Sequence, residues 1–363
     1  MAMQQEPRAV EPPALLFLQL LACPKERSLL EKLESVEESD KMWLMIAAIV
    51  TGIVGYLFIN RFLRSLDVGD YGNKYVFITG CDTGFGQRLS VRLNKMGFHV
   101  ISGCLTQKGA DTLTQLCPDR LSALLLNVAD SDSIQKAFKR VQDLLPSGKG
   151  LWAVVNNAGI SGNPSCIEMC TKQDFVEAID INLYGPFEVS RTFLPLLRKT
   201  RGRVVCITSI MGRYPGVAAP YCASKFGLEA FCDVLRREVY RQGIKVSILE
   251  PGYFKTNILN FEFLTGKCKS SFDQASDEVK TAYGPDHVKN YVTLVSETMK
   301  GASADIDQVV DAYVHAITSK FPRTRYVVGN DARFIYIPLS LVPDWCGDWI
   351  VRSMMSFMLS KKG

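Results

Sequence analysis

The sequence predicts one α/β domain, a doubly wound parallel sheet of about seven strands, behind an N-terminal membrane-anchor helix. Three observations predict it. From Tyr75 onward, short β-branched runs alternate with longer amphipathic stretches. A glycine-rich turn joins the first of these runs to the first amphipathic stretch, and ahead of both lies Trp43–Ile59, a segment without a single charge.

A chain of 363 residues is long enough for two average domains, but open α/β sheets of roughly 250 residues commonly form one unit. Hydrophobic residues make up 47% and charged ones 22%, the balance of a folded chain with a large core, which excludes disorder. The net charge of +5 is spread over 42 basic and 37 acidic residues with no long basic block, so nucleic acid is not expected as a partner. The eleven cysteines contain no Cys-x-x-Cys, and His99, His287 and His315 have no ligand spacing. Free thiols in a reducing compartment and no metal site follow. The one near-sequon, Asn163, is followed by Pro164, which is compatible with a cytosol-facing catalytic domain.

Taken in order, residues 1–41 are expected to stand outside the fold. They hold a proline-containing start, an apolar run from Ala14 to Ala22 that is too short to span a bilayer, and mixed charges from Lys25 to Lys41. Residues 42–64 read as the anchor and its basic flank. The uncharged run reaches about 25 Å as a helix, the lower end of a spanning length. It is followed by Arg61 and Arg64 and preceded by 41 residues, which favours an uncleaved anchor over a signal peptide. Met42 is an alternative start. The Arg61/Arg64 pair places the body in the cytosol only if residues 1–41 are discounted.

Residues 71–333 carry the alternation. Strands are expected at Tyr75–Thr79, His99–Gly103, Leu121–Asn127, Leu151–Asn156, Arg203–Thr208, Lys245–Glu250 and, weakly, Arg325–Val328. Helices are expected at Gly84–Met96, Lys108–Leu116, Ser131–Leu145, Thr171–Lys199 with a break near Gly185-Pro186, and Ala219–Arg241. Residues 254–301 interrupt the rhythm as a helical insertion placed to form a substrate lid after the sixth strand. Residues 334–363 are apolar but broken by Pro338, Pro343, Asp344, Asp348 and Arg352, and read as a docked or membrane-interfacial segment.

The chemistry sits at the strand ends. Thr79-Gly80-Cys81-Asp82-Thr83-Gly84-Phe85-Gly86 follows the first strand and opens a helix. Glycines there let a pyrophosphate approach the backbone, and the helix N-terminus offers N–H groups and partial positive charge. The spacing differs from G-x-G-x-x-G, so that fingerprint does not apply literally. The fourth strand ends in Asn156-Asn157-Ala158-Gly159, small and polar residues suited to a close approach. The fifth ends at Ser209, and twelve residues on Tyr221 opens a helix with Lys225 one turn below it on the same face. A phenol of ordinary pKa, about 10, is a poor base at neutral pH; nearby positive charge, from Lys225 with an oxidised nicotinamide, favours phenolate. Tyr221 would then take a hydroxyl proton as hydride leaves carbon, Ser209 would hold the reacting oxygen, and Asn182 could hold a water in the proton path.

In combination these segments resemble the short-chain dehydrogenase/reductase family. TGCDTGFG, NNAG, the Asn182 region, Ser209, YCASK and Glu250-Pro251-Gly252 stand in that family's order and spacing over roughly residues 74 to 260. The resemblance implies a Rossmann-type fold and catalytic roles for Asn182, Ser209, Tyr221 and Lys225. It implies dinucleotide contacts at Gly80, Asp82, Thr83, Gly84, Phe85 and Gly86, and at Asn156 (beside the adenosine ribose), Ala158 and Gly159. Tyr221, Lys225, Pro251, Gly252 and Thr256, the last at the nicotinamide carboxamide, complete the implied set. Where the family usually has Asp beside the adenine, this chain has Asn127. More narrowly, YVFITGCDTGFG, GCLTQKGA, YCASKFGLEAF, EPGYFKTN and PRTRY…DARFIYIPLS resemble the microsomal retinol and 17β/3α-hydroxysteroid dehydrogenase subfamily, from about Met42 to Val351. That resemblance implies a lipophilic alcohol or ketone as substrate, an endoplasmic reticulum membrane anchor, and a homodimer through the helix before the fifth strand and the YCASK helix. NAD is the expected cofactor, with NADP the alternative: Gly103-Cys104-Leu105-Thr106 after the second strand has neither an acid nor Arg, and Lys108 is the nearest cation.

Two rival readings stay open. A 3-hydroxybutyrate dehydrogenase, mitochondrial and a close relative, resembles LNV at 126–128 and PYC at 220–222, but carries a basic residue where this chain has Ala218. A catalytically silent scaffold on the same fold would not need Tyr221.

Overall fold

The computed structural model describes residues 24–360, with side chains over 40–356, and divides after Ser65 into two units. The first is one helix, α1 (Pro24–Ser65). Its part Asp40–Ser65, 26 residues with a mean hydropathy of 2.2 in its most apolar window, is long and apolar enough to cross a membrane. At 1.5 Å per residue it spans about 39 Å, more than the hydrocarbon core requires. Residues 24–41, expected as a poorly structured extension outside the catalytic fold, belong to this separate unit but are helical. Pro24 fits the first helical turn, and the Glu-, Lys- and Leu-rich stretch behind it consists of strong helix formers. The apolar run from Ala14 to Ala22 lies outside the described residues.

The second unit is a seven-stranded parallel sheet wrapped by helices. In chain order it runs β1 (Tyr75–Thr79), α2 (Gly84–Lys95), β2 (His99–Cys104), α3 (Gln107–Leu116), β3 (Leu121–Leu125), α4 (Ser131–Leu144), β4 (Ala153–Asn156) and α5 (Lys172–Ile179). It continues with α6 (Gly185–Arg198), β5 (Arg203–Ile207), α7 (Ala219–Glu238) and β6 (Lys245–Pro251). Then come α8 (Phe261–Gln274), α9 (Asp277–Tyr283), α10 (His287–Gly301), α11 (Asp307–Thr318), β7 (Arg325–Val328) and α12 (Asp344–Ser360). The strand order is β3-β2-β1-β4-β5-β6-β7. Winding therefore reverses between β1 and β4, and the crevice beyond their carboxyl ends is where such a sheet binds its ligand.

Alternation along β1 builds the two core layers. Val76 and Ile78 face α2 and α11, packing with Leu89, Leu93, Val309 and Tyr313. Phe77 points the other way, stacked on Phe193 of α6 at 4.5 Å. The strands end within two residues of the expected positions. The break expected near Gly185-Pro186 is a wide π turn, Asp180–Tyr184, between α5 and α6. Pro186 has no N–H to donate to the carbonyl four residues back, Asn182, and its ring crowds that carbonyl, so the turn opens there. The insertion expected to form a lid folds as α8, α9 and α10, and α12 packs on α10.

Candidate active site

The glycine turn and the NNAG loop are built against each other. A Cβ on Gly80 would lie 2.6 Å from Ala158 Cα, and one on Gly86 would lie 2.4 Å from both Asn157 Nδ2 and Gly80 O. Gly84, at φ +64°, opens α2 in a left-handed conformation, and a Cβ there would meet nothing within 4 Å. Two glycines therefore permit close packing, and the third faces open space at a helix N-terminus, a cradle shaped for a phosphate group. Asn157 fastens the two loops: Nδ2 donates to the carbonyls of Thr79 (3.1 Å) and Gly80 (2.9 Å), and Oδ1 accepts from Tyr313 Oη at 3.1 Å. The Asp82 carboxylate accepts from Leu105 N (2.8 Å), Thr106 N (2.9 Å) and Thr106 Oγ1 (2.7 Å), tying the turn to the loop after β2. Thr83 Oγ1 accepts from Asn257 Nδ2 at 3.0 Å.

Asn156 turns the other way. Buried at the end of β4, its Nδ2 donates to Ser190 Oγ (2.9 Å) and Cys206 Sγ (3.4 Å), and its Oδ1 has no partner. Its side chain braces the helix layer, so any ribose contact there falls to the backbone. Asn127 is exposed past β3, its Oδ1 accepting from Ala129 N at 3.0 Å.

The groups singled out for proton chemistry converge at the ends of β5 and α7. Phe85, Gly159, Ser209, Tyr221, Lys225, Pro251, Gly252 and Thr256 line a single cavity of ≈ 240 Å³. Ser209 Oγ accepts from Met211 N at 3.2 Å, which fixes the side chain at the mouth of the strand. Asn182, fully buried, spends its amide on the chain: Oδ1 accepts from Ile160 N (2.9 Å), while Nδ2 donates to Ile160 O (2.9 Å) and Ser224 Oγ (3.0 Å). Ser224 Oγ in turn donates to Tyr221 O at 2.7 Å, linking the π turn to α7. A Cβ on Gly159 would stand 3.1 Å from Asn182 Oδ1 and 3.6 Å from Lys225 Nζ, so only glycine leaves the space between them clear.

Lys225 together with an oxidised nicotinamide is expected to favour the Tyr221 phenolate. In the chain alone, burial pushes the phenol up to about 12, opposed by a hydrogen bond with Ser209. Lys225 Nζ donates to Ile207 O at 3.2 Å and lies 5.6 Å from the Tyr221 ring centroid, and its own burial pushes it down to about 8. Both shifts are set first by desolvation, since β5 and α7 enclose the two groups.

Sequence reasoning named Asn157 only within its motif and missed an aromatic wall formed by Tyr214, Tyr253, Tyr291 and Tyr336. Tyr253 and Tyr336 pack edge to face at 5.9 Å, and Tyr253 Oη reaches Met211 Sδ at 3.7 Å. These tyrosines come from four separate segments, so no local spacing links them. Among the described residues lining the cavity, Lys225 is the only charged side chain.

Residues 74–264 match the family model described as short chain dehydrogenase. Retinol dehydrogenase 7 of Rattus norvegicus is 43% identical, an alignment covering 85% of this chain and 96% of that protein. Retinol dehydrogenase 16 of Homo sapiens is 41% identical, and 17-beta-hydroxysteroid dehydrogenase type 6 of Homo sapiens 39%, each over 85% of this chain and 96% of the relative. A crystal structure of a short-chain dehydrogenase from Streptomyces avermitilis superposes with a TM-score of 0.61 at 25% identity, covering 78% of this chain and 98% of that one.

Proposed function

The chain belongs to the short-chain dehydrogenase family, and from that premise we propose that Tyr221, Ser209 and Lys225 interconvert a lipophilic secondary or allylic alcohol, a retinoid or hydroxysteroid, with its carbonyl. The protein is a nicotinamide-dependent oxidoreductase acting on CH–OH groups. The open cradle at Gly84 and the clearance at Gly159 fit the dinucleotide. When bound, the oxidised nicotinamide supplies a hydride acceptor and the additional positive charge that Tyr221 requires.

The chain's own groups do the rest. Tyr221 Oη takes the hydroxyl proton, Ser209 Oγ donates to the substrate oxygen, and Lys225 passes the proton onward. With the Asn182 amide committed, a water in that path falls to the Asn182 main-chain carbonyl, which Pro186 deprives of its α-helical donor.

The observation carrying the substrate class is the cavity wall. Val217, Ala218, Leu264, Leu294 and Met354 surround the reacting groups, and Lys225, already bonded to Ile207 O, is the one lining cation among the described residues. A small hydroxy acid would bury its carboxylate there without a partner, at a cost of several kcal/mol. This favours the lipophilic reading over a 3-hydroxybutyrate dehydrogenase.

NAD is the proposed cofactor, because the Asp82 carboxylate occupies the N–H groups of Leu105 and Thr106, where a 2′-phosphate would need donors. The proposal includes an endoplasmic reticulum membrane anchored by α1, and a homodimer through α6 and α7, whose exposed Phe187 and Val234 suit a buried face. Purified full-length protein in detergent is to be assayed with retinol, hydroxysteroids and 3-hydroxybutyrate, each with NAD and with NADP. Turnover is expected on the lipophilic alcohols with NAD, and a faster rate on the hydroxy acid would reject the assignment.

A further inference from the structure

The cavity that holds Ser209 and Tyr221 measures ≈ 240 Å³, less than the roughly 300–1,000 Å³ of sites that enclose a drug-sized ligand. Beside it lies a larger one of ≈ 690 Å³. The two share one wall, made by Pro164 after β4, Gly216, Val217 and Ala218 ahead of α7, Tyr291 and Leu294 of α10, and Met355 of α12.

The loop part of that wall is narrow by sequence. A Cβ on Gly216 would only just touch Met211, at 3.4 Å, and Ala218 carries a single methyl. Ala218 also holds a left-handed backbone, φ 61° and ψ 68°, as the residue capping α7 three places before Tyr221. For a side chain other than glycine that conformation costs roughly 1–2 kcal/mol, and such strain collects where a site is shaped. Beyond the shared residues the second cavity is lined by Ile167, Ala223 and Phe226. His287 also lines it, its Nε2 4.0 Å from Cys166 Sγ and its ring stacked on Phe272 at 5.5 Å. A mainly apolar lining is suited to a chain whose reacting end is elsewhere.

We propose that the second cavity is a subsite for the tail of the alcohol: the hydroxyl reaches Ser209 and Tyr221 while a long apolar tail passes Gly216 and Ala218 and lies between Ile167 and Ala223. This deepens, and rests on, the alcohol dehydrogenase reading. It makes the preferred substrate an alcohol longer than the catalytic cavity alone can enclose.

Geraniol and geranylgeraniol present the same allylic alcohol and differ in tail length, so they separate the two cavities. Ala223→Trp and Ile167→Trp place bulk at exposed positions that line only the second cavity. In the full chain in detergent, each variant is expected to melt like the wild type and keep the geraniol kcat/KM within about twofold. Each should raise KM for geranylgeraniol about tenfold or more. Equal effects on both alcohols, or no effect on either, overturn the subsite. If the wild type oxidises neither alcohol, the dehydrogenase reading has failed on the wild-type result alone, and the subsite falls with it.

Discussion

Replacing Lys225 by methionine should abolish turnover and yet stabilise the protein. Lys225 is 2% exposed, and burial pushes it from its ordinary 10.5 down to about 8. At 1.36 kcal/mol per unit, holding the charged lysine in the fold costs about 3 kcal/mol below that value. Methionine has a similar length and no charge, and its loss of the hydrogen bond to Ile207 O subtracts roughly 1 kcal/mol. The net gain at pH 7 is about 2 kcal/mol, or about 3 °C for a unit of roughly 300 residues. Because the folded value lies below the unfolded one, the penalty on the wild type is full below pH 8. It shrinks as the pH rises from 8 to 10.5 and is gone above, where both states carry a neutral amine. Thermal melts of the full-length pair in detergent at pH 7 and pH 10 follow this directly. A variant less stable than the wild type at pH 7, or equally stabilised at both pH values, refutes the reasoning.

Arg325 reaches Glu229 (2.9 Å), Asp233 (3.0 Å) and Glu250 (3.1 Å), and Glu229 also accepts from Thr208 Oγ1 beside Ser209. Arg325→Met leaves buried carboxylates facing one another and should cost about 3–5 kcal/mol. The loss should be smaller at pH 5 than at pH 8 in urea unfolding, since Glu229, pushed up to about 7 by burial and by Glu250, accepts a proton as the pH falls. Gly86→Ala drives a methyl into Asn157 and Gly80, so both the melting temperature and dinucleotide affinity should fall; Gly84→Ala, meeting open space, should lose affinity about tenfold with the smaller stability loss, as read by cofactor fluorescence titration. Asp82→Ala frees the N–H groups of Leu105 and Thr106, and should raise kcat/KM with NADP relative to NAD by about tenfold in steady-state kinetics.

Local pattern carried most of the fold. Each β-branched run became a strand because parallel strands buried on both faces need continuous apolar sequence, and the turn at Gly80–Gly86 announced the cradle through its place between strand and helix. Tyr221 and Lys225 were legible for a similar reason, being one helical turn apart. What distance in sequence hides was not legible. The Asn156 side chain points into the core because Ser190 and Cys206, from α6 and β5, offer it partners there. The burial that shifts Tyr221 up and Lys225 down is set by β5 and α7 together, which no spacing records. The tyrosine wall is assembled from the segments after β5, β6 and β7 and from α10, which sequence distance keeps apart. The helix from Pro24 was missed although Leu29, Leu30, Leu33 and Val36 recur at helical spacing, because the dense charges between them read as a solvated extension.

The measurement that bears most directly on the proposed chemistry is single-turnover reduction of NAD by full-length protein with a lipophilic allylic alcohol, comparing wild type with Tyr221→Phe. The phenyl ring keeps the packing and removes only the hydroxyl. Loss of about 10²–10⁴-fold in the rate, with dinucleotide affinity nearly unchanged, is the predicted result. A phenylalanine variant that reduces NAD at the wild-type rate would contradict it.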